Sequence, residues 1–356
     1  MEIVVGTYNH VLFGFNFARN CEDGKEEWQF KPLFTDQGHT GCIKSVSTGG
    51  RYLASGSTDE TIRLFDMKKH LELGTLVSQS GTITCIMFCG TSHMLSGSED
   101  GTICIWKCKT WELEKTLKGH RGAIHSISLH PSGRLALSVS KDKTIKTWNL
   151  LTGRPAYTTS LKEVGELVRW SPTGDSYVVI VGCKLTVYKI SGVDEPHVYR
   201  CEKYILTVEF VTDSILIIGG ESDDVILYNF EKKVVLQRFA AHKTRTKALS
   251  IAPHPYEPNK FLLFTVASDG NLKGWCLNQQ NLEEEPKLLA GLDIPGRPTC
   301  MTLKLSPAIK NPTEIDDTIN VKSPSLSKKK KNADNLERQI DLKKKVRKKK
   351  TTSTGD

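Results

Sequence analysis

Short segments in which apolar and polar residues alternate, separated by turn residues, run along most of the chain. Residues 83–118 contain four of them in succession: ITCIMFC, HMLSGS, TICIWKC and ELEKTLK. Alternation with a period of two is typical of strands that bury one face. The segments HPSG (130–133) and SPTG (171–174) supply the Pro and Gly residues that turns require. The pattern predicts an all-β protein built from short strands.

These strands belong to a repeat. When STDETIRLFD, SEDGTICIWK, SKDKTIKTWN and ASDGNLKGWC are aligned, an aspartate recurs, with a hydroxyl residue four positions before it and an aromatic residue six positions after it. Two weaker copies lie between the third and the fourth. The aromatic residues of the six copies stand 40 to 47 residues apart: Phe65, Trp106, Trp148, Tyr188, Tyr228 and Trp275. Four strands within a period of about 41 residues are the signature of WD repeats, and they predict a β-propeller.

The segments left over at the two ends of the chain predict a seventh blade. The six copies account for residues 38–293, and the N-terminal stretch supplies three further strands, IVVGTY, HVLFGFNF and WQFKPLF. The segment at 298–305 supplies a fourth, which we expect to pair with the first N-terminal strand. Closure of this kind removes the free sheet edges. We therefore expect a propeller over residues 1–309 and a disordered lysine-rich tail over 310–356.

The third repeat contains a histidine, a serine and an aspartate that could form a catalytic triad: His120, Ser138 and Asp142. The same residue types recur around the ring, however, whereas a catalytic triad is needed once. We therefore interpret them, with Trp148, as a structural hydrogen-bonded tetrad. The sixth copy offers a second tetrad, His242, Thr265, Asp269 and Trp275. Blades four and five carry Gly182 and Ser222 at the aspartate position, so we expect no tetrad there.

Charge is concentrated at the C-terminus. The chain has 356 residues and a net charge of +9, and its last 47 residues hold 14 lysines and arginines against seven acidic residues. Two clusters in this tail resemble a nuclear localisation signal, which an import receptor would bind. The lysines and arginine of the clusters are Lys328, Lys329, Lys330, Lys331, Lys343, Lys344, Lys345, Arg347, Lys348, Lys349 and Lys350. The N-terminus lacks the pattern of a signal peptide, so we expect reduced cysteines in an intracellular compartment.

The loops that carry the tetrad histidine and aspartate should present their neighbours on one rim. Five cations there form a candidate basic arc for RNA phosphates or an acidic peptide: Arg121, Lys141, Lys143, Lys243 and Arg245. The alternative is ordinary solvated charge, because acidic residues share the rim. The CxxxC pairs at 85–89 and 104–108 lie within predicted strands, where the two thiols would be about 13 Å apart, so we expect no metal. No enzymatic or cofactor motif is present, and we expect a protein that is not an enzyme and binds no cofactor.

Several longer segments resemble one family closely. VLFGFNF, DETIRLFDMKK, SGTITCIMF, SGSEDGTICIWK and HPSGRLALSVSKDKTIKTWNL, together with the lysine-rich end, resemble the p21-activated-kinase-interacting WD-repeat family. The resemblance implies a nuclear, nucleolar protein that takes part in assembly of the large ribosomal subunit with pre-ribosomal proteins, and it adds pre-ribosomal RNA as a candidate partner. It also implies binding to the regulatory region of the p21-activated kinase, which restrains the kinase. It implies no membrane partner and no catalytic residues.

Two alternatives to the nucleolar scaffold stay open on the sequence. One is a cytoplasmic inhibitor of the kinase, for which the basic tail has no evident use. The other is a WD-repeat substrate receptor of a ubiquitin ligase, which nothing in the sequence beyond the repeat pattern favours.

Overall fold

The computed structural model describes residues 1–22, 25–191 and 195–305. They form 28 strands in seven four-stranded antiparallel sheets, and none of the described residues is helical. The predicted seven-bladed β-propeller is confirmed. Within the described ranges there is also no helix long and apolar enough to cross a membrane. The predictions for residues 310–356, including both basic clusters, lie outside the described residues.

The bounds of the strands follow in chain order. They are β1 Glu2–Thr7, β2 Leu12–Glu22, β3 Lys25–Asp36, β4 Ile43–Gly49, β5 Tyr52–Ser57, β6 Ile62–Asp66, β7 Leu71–Leu76, β8 Ile83–Cys89, β9 His93–Ser98, β10 Ile103–Lys107, β11 Glu112–Leu117, β12 Ile124–Leu129, β13 Leu135–Ser140, β14 Thr144–Asn149, β15 Arg154–Ser160, β16 Leu167–Trp170, β17 Ser176–Val181, β18 Lys184–Lys189, β19 His197–Arg200, β20 Ile205–Phe210, β21 Ile215–Gly220, β22 Asp224–Asn229, β23 Val234–Ala240, β24 Thr246–Pro253, β25 Lys260–Ala267, β26 Asn271–Asn278, β27 Lys287–Asp293 and β28 Pro298–Lys304.

Blades one to six each take four consecutive strands from β4 to β27, and blade seven has the order β28-β1-β2-β3. The first strand of each blade packs against the first strand of the next, and β28 packs against both β24 and β4. The first strands therefore surround a central channel. Residue 304 lies opposite residue 2 in the β28–β1 ladder, so the two ends of the propeller meet in one sheet.

Burial falls from the inside of each blade to the outside. The second strands β5, β9 and β13 are buried along nearly their whole length, whereas the fourth strands β7, β11 and β15 are mostly exposed. The apolar clusters lie between blades rather than within them; one joins Leu64 of blade one to Ile86 and Met94 of blade two. The core of the propeller is thus a ring of seven interfaces, and each blade depends on its neighbours for burial.

Close packing between blades explains the small residues of the second strands. A Cβ atom at Gly56 would lie 2.5 Å from Cγ2 of Ile83 in the next blade, and one at Gly97 would lie 2.9 Å from Cδ1 of Ile127 in the blade after it. A larger side chain at either position would push two blades apart. The motif SGS in β5 and β9 is therefore a packing requirement.

Candidate interaction surface

The tetrad residues of blade three form a continuous chain of hydrogen bonds. Nε1 of Trp148 donates to Oγ of Ser138 at 2.7 Å, and that oxygen lies 2.7 Å from Nε2 of His120. Nδ1 of His120 lies 2.9 Å from Oδ2 of Asp142. Burial raises the pKa of Asp142, but hydrogen bonds from Thr144, the backbone of residue 121 and His120 outweigh it and hold that pKa below its usual range. The network ties together β13, β14, the turn between them and the link that precedes β12.

Burial argues against a catalytic use of this constellation. Ser138 is 0% exposed, and its hydroxyl is shared between the histidine and the tryptophan. A substrate therefore cannot reach the oxygen that would act as nucleophile. Burial also lowers the pKa of His120, and hydrogen bonding to Asp142 opposes that effect only in part. The neutral imidazole with its proton on Nδ1 donates to the aspartate and accepts from the serine.

Blade six departs from the expected tetrad. Thr265 Oγ1 lies 2.7 Å from Nε2 of His242 and accepts from Nε1 of Trp275 at 3.0 Å. Nδ1 of His242, however, is buried and has no hydrogen-bond partner among the described residues, and exposed Asp269 instead accepts from the backbone of residue 271. Burial and then the charge of Lys273 lower the pKa of His242 to about 4. The structure therefore brings three of the four residues together and leaves the aspartate apart.

Blades one and two contain variants of the network that the sequence analysis did not assign. In blade one, His39 contacts Ser55 at 2.8 Å and Asp59 at 2.9 Å, and a phenylalanine stands where the tryptophan would be. In blade two, Gln79 replaces the histidine: its Oε1 accepts from Ser96, and its Nε2 donates to the backbone carbonyl of residue 102. An amide can both donate and accept, so it fills the role of a neutral imidazole. The position of Gln79 in the link before the first strand of its blade is the sequence signal that could have identified it.

The five cations predicted as an arc form two groups instead. The tetrad histidines and aspartates lie at the end of the ring where each first strand begins, which we call the upper face. Arg121, Lys141 and Lys143 are exposed there on blade three; Lys243 is exposed and Arg245 half-buried on blade six. Two blades separate the groups, so they lie on opposite sides of the channel and form no continuous arc.

A ring of bulged residues surrounds the upper mouth of the channel. In six of the seven first strands, the second residue has no partner in the ladder with the second strand of its blade. Such a bulge turns the extra side chain out of the sheet. These residues, with Glu166 beside the first strand of blade four, line a channel cavity of about 470 Å³; they are Lys44, Thr84, His125, Leu206, Lys247 and Thr299. The sequence analysis missed them, although each occupies the same place in its repeat.

The mouth has an uneven distribution of charge. Lys44 on blade one and Lys247 on blade six flank blade seven, where exposed Arg297 precedes the first strand. The acidic groups Glu166 and Glu221 belong to blades four and five. Within the described ranges, no group of three or more histidine, cysteine, aspartate or glutamate side chains could hold a metal ion.

Comparison with known proteins identifies the family. The WD domain, G-beta repeat, matches residues 30–66, 71–107 and 111–149. The p21-activated protein kinase-interacting protein 1-like protein of Gallus gallus is 38% identical over 309 residues, which cover 86% of this chain and 81% of that protein. The p21-activated protein kinase-interacting protein 1 of Homo sapiens is 37% identical over 305 residues, covering 85% and 76%. Protein MAK11 of Saccharomyces cerevisiae is 29% identical over 348 residues, covering 85% and 82%.

These matches extend over almost the whole propeller, and a WD propeller is typical of scaffolds that bind other proteins without catalysis. The chain belongs to the p21-activated protein kinase-interacting protein 1 family of WD-repeat proteins.

Proposed function

We propose that this protein is a non-catalytic nucleolar scaffold in the assembly of the large ribosomal subunit, and that it also binds the regulatory region of the p21-activated kinase and restrains its activation. The observation that carries the kinase part is the match, over 85% or more of the chain, to relatives named for interaction with that kinase. The ribosomal part rests on the family resemblance of the repeats and the tail.

The rigidity of the ring supports a scaffold role. The networks of blades one, two, three and six are buried, and both ends of the propeller are held in blade seven. The loops of the upper face are therefore presented on a frame that does not need to rearrange to bind a partner. The proposed partners are the kinase, pre-ribosomal proteins, pre-ribosomal RNA and, for the tail, a nuclear import receptor.

Localisation and sedimentation of the full chain, beside a version that ends at Lys310, test the nucleolar part. We expect the full chain to be nucleolar and to sediment with pre-ribosomal particles, and the shorter version to lose nuclear import because both lysine clusters are gone. A version with the lysines of 328–331 and 343–350 replaced by glutamine is the matched control for chain length. Cytosolic distribution of the full chain, without particle association, contradicts this part.

Binding of the full chain to separate regulatory and catalytic segments of the p21-activated kinase tests the kinase part. We expect retention by the regulatory segment and a reduced rate of kinase activation with increasing amounts of the protein. Retention by the catalytic segment alone, or activation that is unaffected at saturation, contradicts it.

A further inference from the structure

The upper mouth of the channel holds a group of cations that the chain itself does not neutralise. Lys44 and Lys247 are bulged residues of the channel lining, and Arg297 precedes β28 between them. Among the described residues, none of these three side chains forms an ion pair. Arg245 lies beside them and donates only to the hydroxyl of Ser268, at 3.0 Å. Four like charges are thus gathered over blades six, seven and one.

The neighbouring cations disfavour the charged form of Lys247. Burial lowers the pKa of Lys247, and the charges of Arg245, Arg297 and Lys44 lower it further, while Glu221 opposes them more weakly. A structural role would favour an acidic neighbour that removes this repulsion. A group of like charges at a concave opening is instead typical of a site that receives an anion.

An exposed aromatic residue lies next to Arg297. Tyr8 occupies the turn between β1 and β2 in blade seven, and its backbone N–H donates to the carbonyl of Arg297 at 2.7 Å. The residue is 57% exposed, and its side chain has no hydrogen bond or ring contact among the described residues. The ring is therefore free to stack on a planar group that reaches the cations.

Cations that follow a groove, beside an exposed ring, are the elements with which proteins bind single-stranded nucleic acid. We propose that the upper channel mouth of blades six, seven and one binds single-stranded RNA, with Lys44, Lys247 and Arg297 on phosphates and Tyr8 stacked on a base. The choice of RNA rests on the proposed nucleolar function. An acidic peptide would use the same cations but would gain no base stacking from Tyr8.

The test measures affinity of the full chain for a labelled oligouridine by fluorescence anisotropy over a series of KCl concentrations. The variant Lys44→Gln/Lys247→Gln/Arg297→Gln is compared with Lys68→Gln/Lys69→Gln/Lys109→Gln, which removes the same charge from exposed turns of the opposite face. We expect the first variant to bind roughly tenfold more weakly or worse. Its slope of log K against log salt should be smaller by about two, since three phosphate contacts are lost. Because both variants retain the lysine tail, non-specific binding cancels in the comparison.

Tyr8→Ala should weaken oligouridine binding roughly fivefold or more, and Tyr8→Phe should restore it, because stacking needs the ring and not the hydroxyl. Circular dichroism and thermal unfolding check that each variant is folded. Equal affinity of the two triple variants overturns the proposal. A different combination also overturns it: the first triple variant loses binding, Tyr8→Ala has no effect, and oligoglutamate fully displaces the RNA. That result would identify an acidic peptide as the ligand.

The oligouridine test and the sedimentation test can fail independently of each other. If the triple variants bind RNA equally while the full chain sediments with pre-ribosomal particles, the RNA site alone is wrong. If the full chain is absent from those particles, the nucleolar function is wrong whatever the oligouridine affinity.

Discussion

The same position of the repeat has different energetic weight in different blades. Asp142 in blade three accepts hydrogen bonds from a histidine, a threonine hydroxyl and two backbone N–H groups. Asp269 in blade six is exposed and accepts from the backbone of residue 271. The contribution of a recurring motif residue to stability therefore follows from its hydrogen-bond partners and not from its position in the repeat.

Replacing these two aspartates tests that statement. Asp142→Ala leaves His120 without its acceptor and should lower the free energy of unfolding by roughly 1–3 kcal/mol. Asp269→Ala should cost at most about 1 kcal/mol, because it removes an exposed hydrogen bond. Urea denaturation of both variants gives the comparison. Equal losses would mean that Asp269 does support the blade-six network.

His242 makes the stability of the protein depend on pH. Its pKa is lowered from the ordinary 6.5 to about 4 in the folded chain, by burial and then by Lys273. The unfolded chain therefore binds the extra proton first as the pH falls, and stability is lost between these two values. His242→Gln, which copies the natural glutamine of blade two, should reduce the loss between about pH 7 and pH 5 by roughly 2 kcal/mol.

The reciprocal variant Gln79→His provides the control, since it places a titratable ring in an equally buried position. Its stability should fall more steeply with acidification than that of the parent chain. Urea denaturation at several pH values measures both slopes, and parallel slopes for all three proteins would contradict the assignment to His242.

At this scale, spacing located the motif residues but not their hydrogen bonds. The positions of Asp142 and Asp269 follow equally well from the repeat, and only the fold shows that one reaches its histidine and the other does not. The role of Gln79 in the network was not predicted, because the expected residue type was histidine, although an amide offers the same donor and acceptor. Which partner a side chain reaches depends on tenths of an ångström in the links between blades, which sequence patterns do not encode.

Among the elements, β28 has the strongest effect on the ring. Its strand completes blade seven, its Thr299 hydroxyl donates to the carbonyl of Gly6 at 3.0 Å, and Lys304 reaches Glu2 at 3.0 Å. The alternation of 298–305 was sufficient to predict this strand and its partner, and in the structure β28 pairs with β1. The bulges were not predicted, because one extra residue changes the register without disturbing the alternation of apolar residues.

Removal of residues 298–356 should therefore open blade seven and expose the edge of β1. We expect Tm to fall by at least about 10 °C, since the loss amounts to several kcal/mol in a domain of this size. A chain that ends at Lys310 retains β28 and should keep the Tm of the full chain. Calorimetry of the two truncations decides the question, and a fragment ending near residue 290 that unfolds at the parent temperature would contradict closure by β28.

For the whole molecule, the ring has no intrinsic beginning. Each blade buries its residues against two neighbours, and the chain ends enter the same sheet, with residue 304 opposite residue 2. The order of blades could be predicted from the repeat because sequential blades are neighbours in space. The uneven charge of the channel mouth could not, because Lys44, Lys247 and Arg297 are about 50 to 250 residues apart in sequence and meet only when the ring closes.

A circular permutant tests whether ring closure needs a particular chain order. A short Asn-Gly linker from residue 305 to Met1 would make β28 and β1 an ordinary hairpin, because the two strands are already antiparallel neighbours. New ends between Lys68 and Lys69 fall in an exposed turn. We expect this permutant to unfold cooperatively within a few degrees of a chain that ends at residue 305.

A second permutant opened inside β13, between Leu137 and Ser138, breaks a buried ladder and the blade-three network and should not fold. If both permutants fold equally well, strand pairing around the ring is not what holds the propeller closed; if neither folds, the natural chain order itself is required.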